Sequence, residues 1–362
     1  MNCEEKETQI KNVVDKLFSL QTNNFIFIYT PPKVGSTTLV SSLRISLGKS
    51  FNVIHIHDDI MLNVLTGINS VTVNEIINYL GQSGKNVYVI DVYRTPIERK
   101  MSEYFEKLSP YHFNNTEENL KTYSIKRITD RFNKLFPHLA KGEHYFDKYD
   151  IPHEDIPIFD LKNNYTLQQI NNVYYVKLRL SDSKNWDKLL SKILGEDVIL
   201  INDYQTESKP LGDLYKKFKR EYKLPSNYFD LIKNDKYFNY YNSEEERNNY
   251  LKNVKICDAV EGYKDSEYAF YVKLYLENQH INDIQIEHYI DNGCFCKFCN
   301  KKRRNIYLRA KGGEKKFEKI IHTETIKKDV ENRNYLVNKM NEKIKNVNVN
   351  KKYGPNQFAI RL

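Results

Sequence analysis

No stretch of this 362-residue sequence approaches the ~20 consecutive apolar residues that a membrane-spanning helix needs, so no membrane span is expected. The first twenty residues also lack the basic-then-apolar layout of a secretory leader. Cysteine is scarce: of five, three crowd into Cys294-Phe295-Cys296-Lys297-Phe298-Cys299. Such a distribution is a poor disulfide framework and fits reduced thiols in a reducing compartment. These absences lead us to expect a cytoplasmic or otherwise soluble intracellular protein. Missing too is the nucleoside-triphosphatase loop, in which a lysine directly follows the second of two glycines, and this disfavours ATP or GTP hydrolysis.

With 40% hydrophobic and 28% charged residues, the chain can bury a full core, and its length favours one large domain plus an appendage. The net charge of +9 is unevenly spread. Residues 297–362 hold 19 Lys and Arg against 6 Asp and Glu, a net of +13, which leaves −4 for residues 1–296. The basic character belongs to the tail, which reads as a solvated charge run with contact to nucleic acid or an acidic polymer as the alternative. We therefore divide the chain into an N-terminal amphipathic helix (1–22), an α/β domain (23–285) and a basic C-terminal region carrying the cysteine cluster (286–362).

The hydrophobic pattern supports an α/β architecture. Phe25-Ile26-Phe27-Ile28-Tyr29 is a continuous apolar run bounded by Asn24 and Pro31-Pro32, as expected of a buried parallel strand. Leu39, Val40, Leu43 and Leu47 then recur with helical spacing up to Gly48. Further strands are predicted at 51–56, 86–92, 173–180 and 197–201. Helices are predicted at 74–80, 95–108, 184–194, 215–222, 243–254 and 268–276. Alternation of this kind implies a parallel β-sheet flanked by helices on both faces, with ligands at the carboxyl ends of the strands.

Two motifs leave such strand ends. The first is Thr30-Pro31-Pro32-Lys33-Val34-Gly35-Ser36-Thr37-Thr38. A loop that opens a helix presents free N–H groups and a partial positive charge to an anion. Gly35 allows close approach, Lys33 adds a compact charge, and Ser36, Thr37 and Thr38 add hydroxyl donors. The second motif places Arg94 at a strand end, Pro96 two residues on, and Ser102 eight residues after the arginine on the next helix. There Arg94 offers a bidentate fork to a phosphate, and Ser102 lies about two turns along.

Together these motifs resemble the 5′-phosphosulfate loop and 3′-phosphate signature of the sulfotransferase superfamily, whose fold is of the P-loop NTPase-like type. A looser similarity extends over about residues 20–260. It includes Arg179-Leu180-Ser181-Asp182 with Trp186, His144-Tyr145-Phe146-Asp147, and Ser208-Lys209-Pro210, and it leans toward proteins of capsular-polysaccharide synthesis. The resemblance implies transfer of a sulfuryl group from 3′-phosphoadenosine 5′-phosphosulfate (PAPS) to a hydroxyl acceptor, with carbohydrate as the acceptor class in this subgroup, releasing adenosine 3′,5′-bisphosphate (PAP). Carried over residue by residue, it assigns Pro32, Lys33, Val34, Gly35, Ser36, Thr37, Thr38, Arg94, Ser102 and Lys209 to the donor. It departs from the family at Thr38, where cytosolic members stack a tryptophan on adenine, and at Val34, where a smaller residue is frequent.

Sulfuryl transfer needs charge stabilisation and a base. Lys33 is the candidate stabiliser. His55 and His57, at the end of the second strand, are candidate bases because their unperturbed pKa near ~6.5 suits proton transfer. Glu143 and Asp58 are carboxylate alternatives. Cys294, Cys296 and Cys299, with His288 or His280, form a candidate zinc site. Two other functional classes stay open on the sequence: a small-molecule kinase, and a non-catalytic protein that binds nucleotide or nucleic acid.

Overall fold

The computed structural model describes residues 3–18, 21–113, 115–201 and 209–277. Its centre is a five-stranded sheet of β1 (Asn24–Tyr29), β2 (Asn52–Ile56), β3 (Asn86–Tyr93), β4 (Tyr165–Ile170) and β5 (Val173–Arg179), in the order β2-β1-β3-β5-β4. The first four in that order run parallel. The expectation of a parallel sheet therefore holds for the strands that bear the motifs and fails at one edge, where β4 pairs antiparallel with β5. The cause is local: Asn171, at φ 54°, and Asn172 close a tight hairpin, and asparagine tolerates the left-handed backbone such a turn needs.

Helices cover both faces. Along the chain they are α1 (Cys3–Leu17), α2 (Ser36–Leu47), α3 (Asp59–Thr66), α4 (Val73–Gln82), α5 (Pro96–Glu106), α6 (Glu117–Leu120), α7 (Ile125–Leu135), α8 (His144–Asp147), α9 (Trp186–Leu194), α10 (Gly212–Glu221), α11 (Ser226–Lys233), α12 (Lys236–Tyr241), α13 (Glu244–Lys252) and α14 (Asp265–Glu277). Alternation within each strand sorts the core into two layers. Phe25, Phe27, Val87, Val89 and Tyr175 face α1, α3, α4 and α8, while Ile26, Ile28, Ile90, Val92 and Leu178 face α2 and α9. A third core, rich in aromatic rings, joins α5 to α7, α10 and α11 through Tyr104, Phe132, Phe218 and Tyr228. No helix among the described residues is long and apolar enough to cross a membrane.

The strand expected at 197–201 is absent. This segment instead runs beside α2, and serine hydroxyls take the place of a ladder partner: Val198 N–H donates to Ser191 Oγ, Ile199 N–H to Ser46 Oγ and Ile201 N–H to Ser42 Oγ, each at 2.9 Å. Its apolar residues signalled burial against the sheet domain, which Val198 achieves without joining the sheet.

One charged group lies wholly inside. Lys177 on β5 stands opposite Asp91 on β3 in register, and its Nζ meets Asp91 Oδ2 at 2.6 Å, with a further short contact to Glu143. Lys177 and Asp91 are fully buried and Glu143 nearly so. Asp91 also accepts from the N–H of Val92 and of Tyr145, which ties β3 to α8. Removing one partner of such a set leaves uncompensated charge in a low-dielectric interior. Lys177→Met is accordingly expected to cost about 3–5 kcal/mol in denaturant unfolding, whereas the triple change Lys177→Met, Asp91→Asn, Glu143→Gln should recover part of that loss; equal stability of Lys177→Met and wild type would refute this assignment.

Candidate phosphate-loop site

Four parallel strands end at one edge of the sheet, and the segments that leave them meet around the loop between β1 and α2. The order β2-β1-β3 makes the chain depart from β1 in both directions, so the crevice beside β1 and β3 is the point where an open α/β sheet binds ligands. Lys33 has φ 69° and Gly35 φ 93°, both in the left-handed region. For lysine this is uncommon backbone, the type of local strain that clusters at binding sites. Gly35 needs its missing side chain twice over: a Cβ there would lie 2.8 Å from Leu180 Cδ1 and 3.3 Å from Trp186 Cη2. The single tryptophan of the chain is thus the floor of the loop, anchored by Nε1–H donating to Arg179 O at 3.2 Å.

The loop residues divide by exposure. Pro32 is on the rim; Lys33, Thr37 and Thr38 are half-buried; Ser36 is buried at 5% exposure. Val34 points into the core beside α2, so only its backbone is available to a ligand. Helix α2 starts at Ser36 with no side-chain cap and no acidic residue in its first turn. Its N-terminal dipole therefore stays open to an external anion.

Arg94, just past the end of β3, donates Nη1–H to the carbonyl of Lys33 at 2.8 Å, so the two motifs read separately in the sequence are joined. Ser102 lies on α5 with only 2% exposure. One turn beyond it, on the same face, is Glu106, which the sequence reading passed over. Lys33 Nζ lies 3.1 Å from Glu106 Oε2, and Lys209 makes a short ion pair with the same oxygen. Burial alone would raise the Glu106 carboxyl; the two ammonium groups outweigh it and bring it down to about 2. Burial lowers Lys33, with Lys209 and Arg94 pushing the same way and Glu106 opposing. The spacing of Glu106 four residues after Ser102 was the available signal, although many helices carry a glutamate on such a face.

The two histidines separate clearly. His55 is 5% exposed, its Nε2 has no hydrogen-bond partner among the described residues, and burial depresses its pKa strongly, with His57 next to it. It is a neutral packing residue whose ring centroid sits 4.4 Å from that of His57. Its burial makes it the weaker of the two candidate bases. His57 is half-buried and accessible at the strand end, with Nδ1–H donating to Thr30 O at 2.7 Å. That bond assigns the neutral tautomer and leaves Nε2 as the acceptor nitrogen. Burial lowers its pKa below 6.5, the Thr30 bond opposes, and both His144 and Lys33 lower it further. His144 donates Nε2–H to the His57 carbonyl at 2.6 Å and steadies the backbone there.

The carboxylate alternatives are occupied elsewhere. Asp58 caps α3 by accepting from Met61 N–H at 2.7 Å, and Glu143 is bound to Lys177 at 3% exposure and caps α8 through Phe146 N–H. Arg179 and Asp182, read as part of the same resemblance, form a partly buried ion pair at 2.6 Å, and Arg179 also engages Glu246. Among the described residues no group of three or more His, Cys, Asp or Glu side chains is arranged to hold a metal ion. Cys294, Cys296, Cys299, His288 and His280 lie outside the described residues.

Comparison with protein-family models, with curated proteins and with solved structures found no match to this chain.

Gly35 and Gly67 share left-handed backbone, and the contact with Leu180 and Trp186 separates them. Gly35→Ala should destabilise the protein by about 1–3 kcal/mol from backbone strain alone, and more once Leu180 is displaced. Gly67→Ala, at φ 71° with nothing within 4 Å of the added Cβ, should cost less. Melting temperatures of the two variants decide the matter, and an equal loss in both would show that the Leu180 and Trp186 floor does not constrain the loop.

Proposed function

We propose that the protein is a sulfotransferase that binds PAPS at the loop of residues 30–38 and passes its sulfuryl group to an acceptor hydroxyl, with carbohydrate as the acceptor class. The observation that carries this reading is the gathering of three cations around the loop that opens α2, Lys33 and Lys209 on Glu106 Oε2 and Arg94 on the Lys33 carbonyl, with the acceptor nitrogen of His57 at the adjoining strand end. Two separate anionic groups on one ligand call for such a spread of positive charge. Backbone N–H groups of Gly35 to Thr37 and the Ser36 and Thr37 hydroxyls would hold the 5′-phosphate, and Arg94 the 3′-phosphate.

The donor, when bound, supplies a sulfuryl group on a phosphate leaving group. The residues of this chain then have distinct tasks. His57 Nε2 takes the proton of the acceptor hydroxyl as the new O–S bond forms. Lys33 meets the negative charge that accumulates on the bridging oxygen as the old S–O bond breaks. Glu106 is ill suited to the proton transfer, because a carboxylate held at about 2 by two ammonium groups is a weak base. The depressed pKa of His57 keeps it neutral at pH 7, so activity should hold level through neutral pH and decline only below pH 6.5, as the base becomes protonated. The kinase alternative wants carboxylates for a metal–phosphate complex; at this edge Asp58 and Asp59 each commit Oδ1 to an N–H group, of Met61 and of Val73.

Adenosine 3′,5′-bisphosphate at 100 times its Kd should stabilise the native protein by about 2.7 kcal/mol, while ATP with magnesium leaves the melting temperature unchanged. A shift with ATP and magnesium alone would sink the sulfotransferase reading in favour of the kinase. Lys33→Ala is expected to lower sulfuryl transfer by ~10²-fold or more, with the folded circular-dichroism spectrum retained, since it removes charge stabilisation at the leaving oxygen. Full turnover in that variant is the contrary result.

A further inference from the structure

Lys33 and Lys209 reach the site from distant parts of the chain, yet their ammonium groups meet on a single atom, Oε2 of Glu106, Lys33 at 3.1 Å and Lys209 in a short contact. The three side chains are 16–24% exposed, shielded enough for the charges to matter and open enough for exchange with solvent. One oxygen gripped by two ammonium groups beside an uncapped helix start is the arrangement that an oxygen of a phosphate or sulfate adopts in such a place. Stability of α5 does not require it: the helix closes through a separate pair, Glu103 with Lys107 at 2.8 Å, while Glu106 is the last helical residue and turns its carboxylate to the loop.

We infer that Glu106 is a specificity-determining residue, an internal carboxylate that holds Lys33 and Lys209 in the manner of a ligand and yields them only to an anion that compensates for its displacement. A small anion such as free phosphate exchanges one set of charge contacts for a similar set and gains little. A ligand whose two anionic groups engage both lysines and Arg94 at once gains a contact that Glu106 does not contest, because Arg94 bonds the Lys33 carbonyl instead. Glu106 thereby selects against inorganic phosphate and sulfate, which any phosphate loop attracts, in favour of a doubly phosphorylated nucleotide. The inference rests on the reading of residues 30–38 as an anion site; it does not require that the ligand be a sulfate donor.

The test is calorimetric titration of inorganic phosphate and of adenosine 3′,5′-bisphosphate into the full chain as wild type, Glu106→Gln and Glu106→Ala. Glutamine keeps the shape and alanine removes the acceptor atoms, so agreement between the variants excludes a folding artefact in one of them. Both should bind inorganic phosphate at least tenfold more tightly than wild type, with a smaller gain for the bisphosphate, so that the preference for the nucleotide narrows. Phosphate affinity that is unchanged, weakened or unmeasurable in both variants overturns the inference and makes Glu106 a scaffold for the lysines. A wild type that ignores the bisphosphate while both variants still gain phosphate affinity removes the sulfotransferase reading and the nucleotide preference, and leaves Glu106 standing as a screen against small anions.

Discussion

The loop between β1 and α2 is held by its neighbours rather than by itself, and everything at the site hangs from that restraint. Gly35 presses against Leu180 and Trp186, which follow β5. The Lys33 carbonyl is taken by Arg94, past the end of β3, and the Thr30 carbonyl by His57, past the end of β2. Each parallel strand therefore sends a group from its carboxyl end to fix one point of the loop backbone. The left-handed turns at Lys33 and Gly35 cost conformational energy, and this ring of contacts is what makes them the stable arrangement.

Charge is used in two ways that burial distinguishes. Inside the sheet, Lys177, Asp91 and Glu143 are sealed from water, so their ion pairs cannot be exchanged for ligand contacts and act as a structural tie between β3, β5 and α8. At the edge, Lys33, Glu106 and Lys209 remain partly exposed. Water can compensate either partner there, so these pairs are held less firmly than the buried set. The same residue types thus form a sealed tie in one place and solvent-accessible ion pairs in the other. His144 links the two regions, since it follows Glu143 in the chain and donates to the His57 carbonyl.

Much of this was legible from residue order. The apolar runs at 25–29, 51–56, 86–92 and 173–180 located the buried strands to within a residue at the first three and at the end of the fourth, because a strand covered on both faces has no polar alternation to blur it. Gly35 and Arg94 were readable because their chemistry depends on local context, a helix start and a strand end. The segment 197–201 misled, since its apolar residues report burial and say nothing about which backbone partner accompanies it. For His55 the limit was of another kind: strand alternation placed it on the face of His57 but carried no information on depth, and at 5% exposure it is the less accessible of the two.

By itself, the sequence determined an α/β sheet protein with a glycine-bearing loop at a helix start and an arginine after the third strand, since those features arise from periodicities and turn chemistry within a few residues. Only the tertiary structure decided that Arg94 grips Lys33, that Trp186 supports Gly35, and that Glu106 gathers Lys33 and Lys209. These pairs lie 61 to 151 positions apart in the chain or meet across three elements, and no local pattern encodes a contact that crossover connections create. The physical reason is that side-chain chemistry is specified residue by residue, whereas proximity and burial, which turn that chemistry into a site, exist only once the sheet has closed its core.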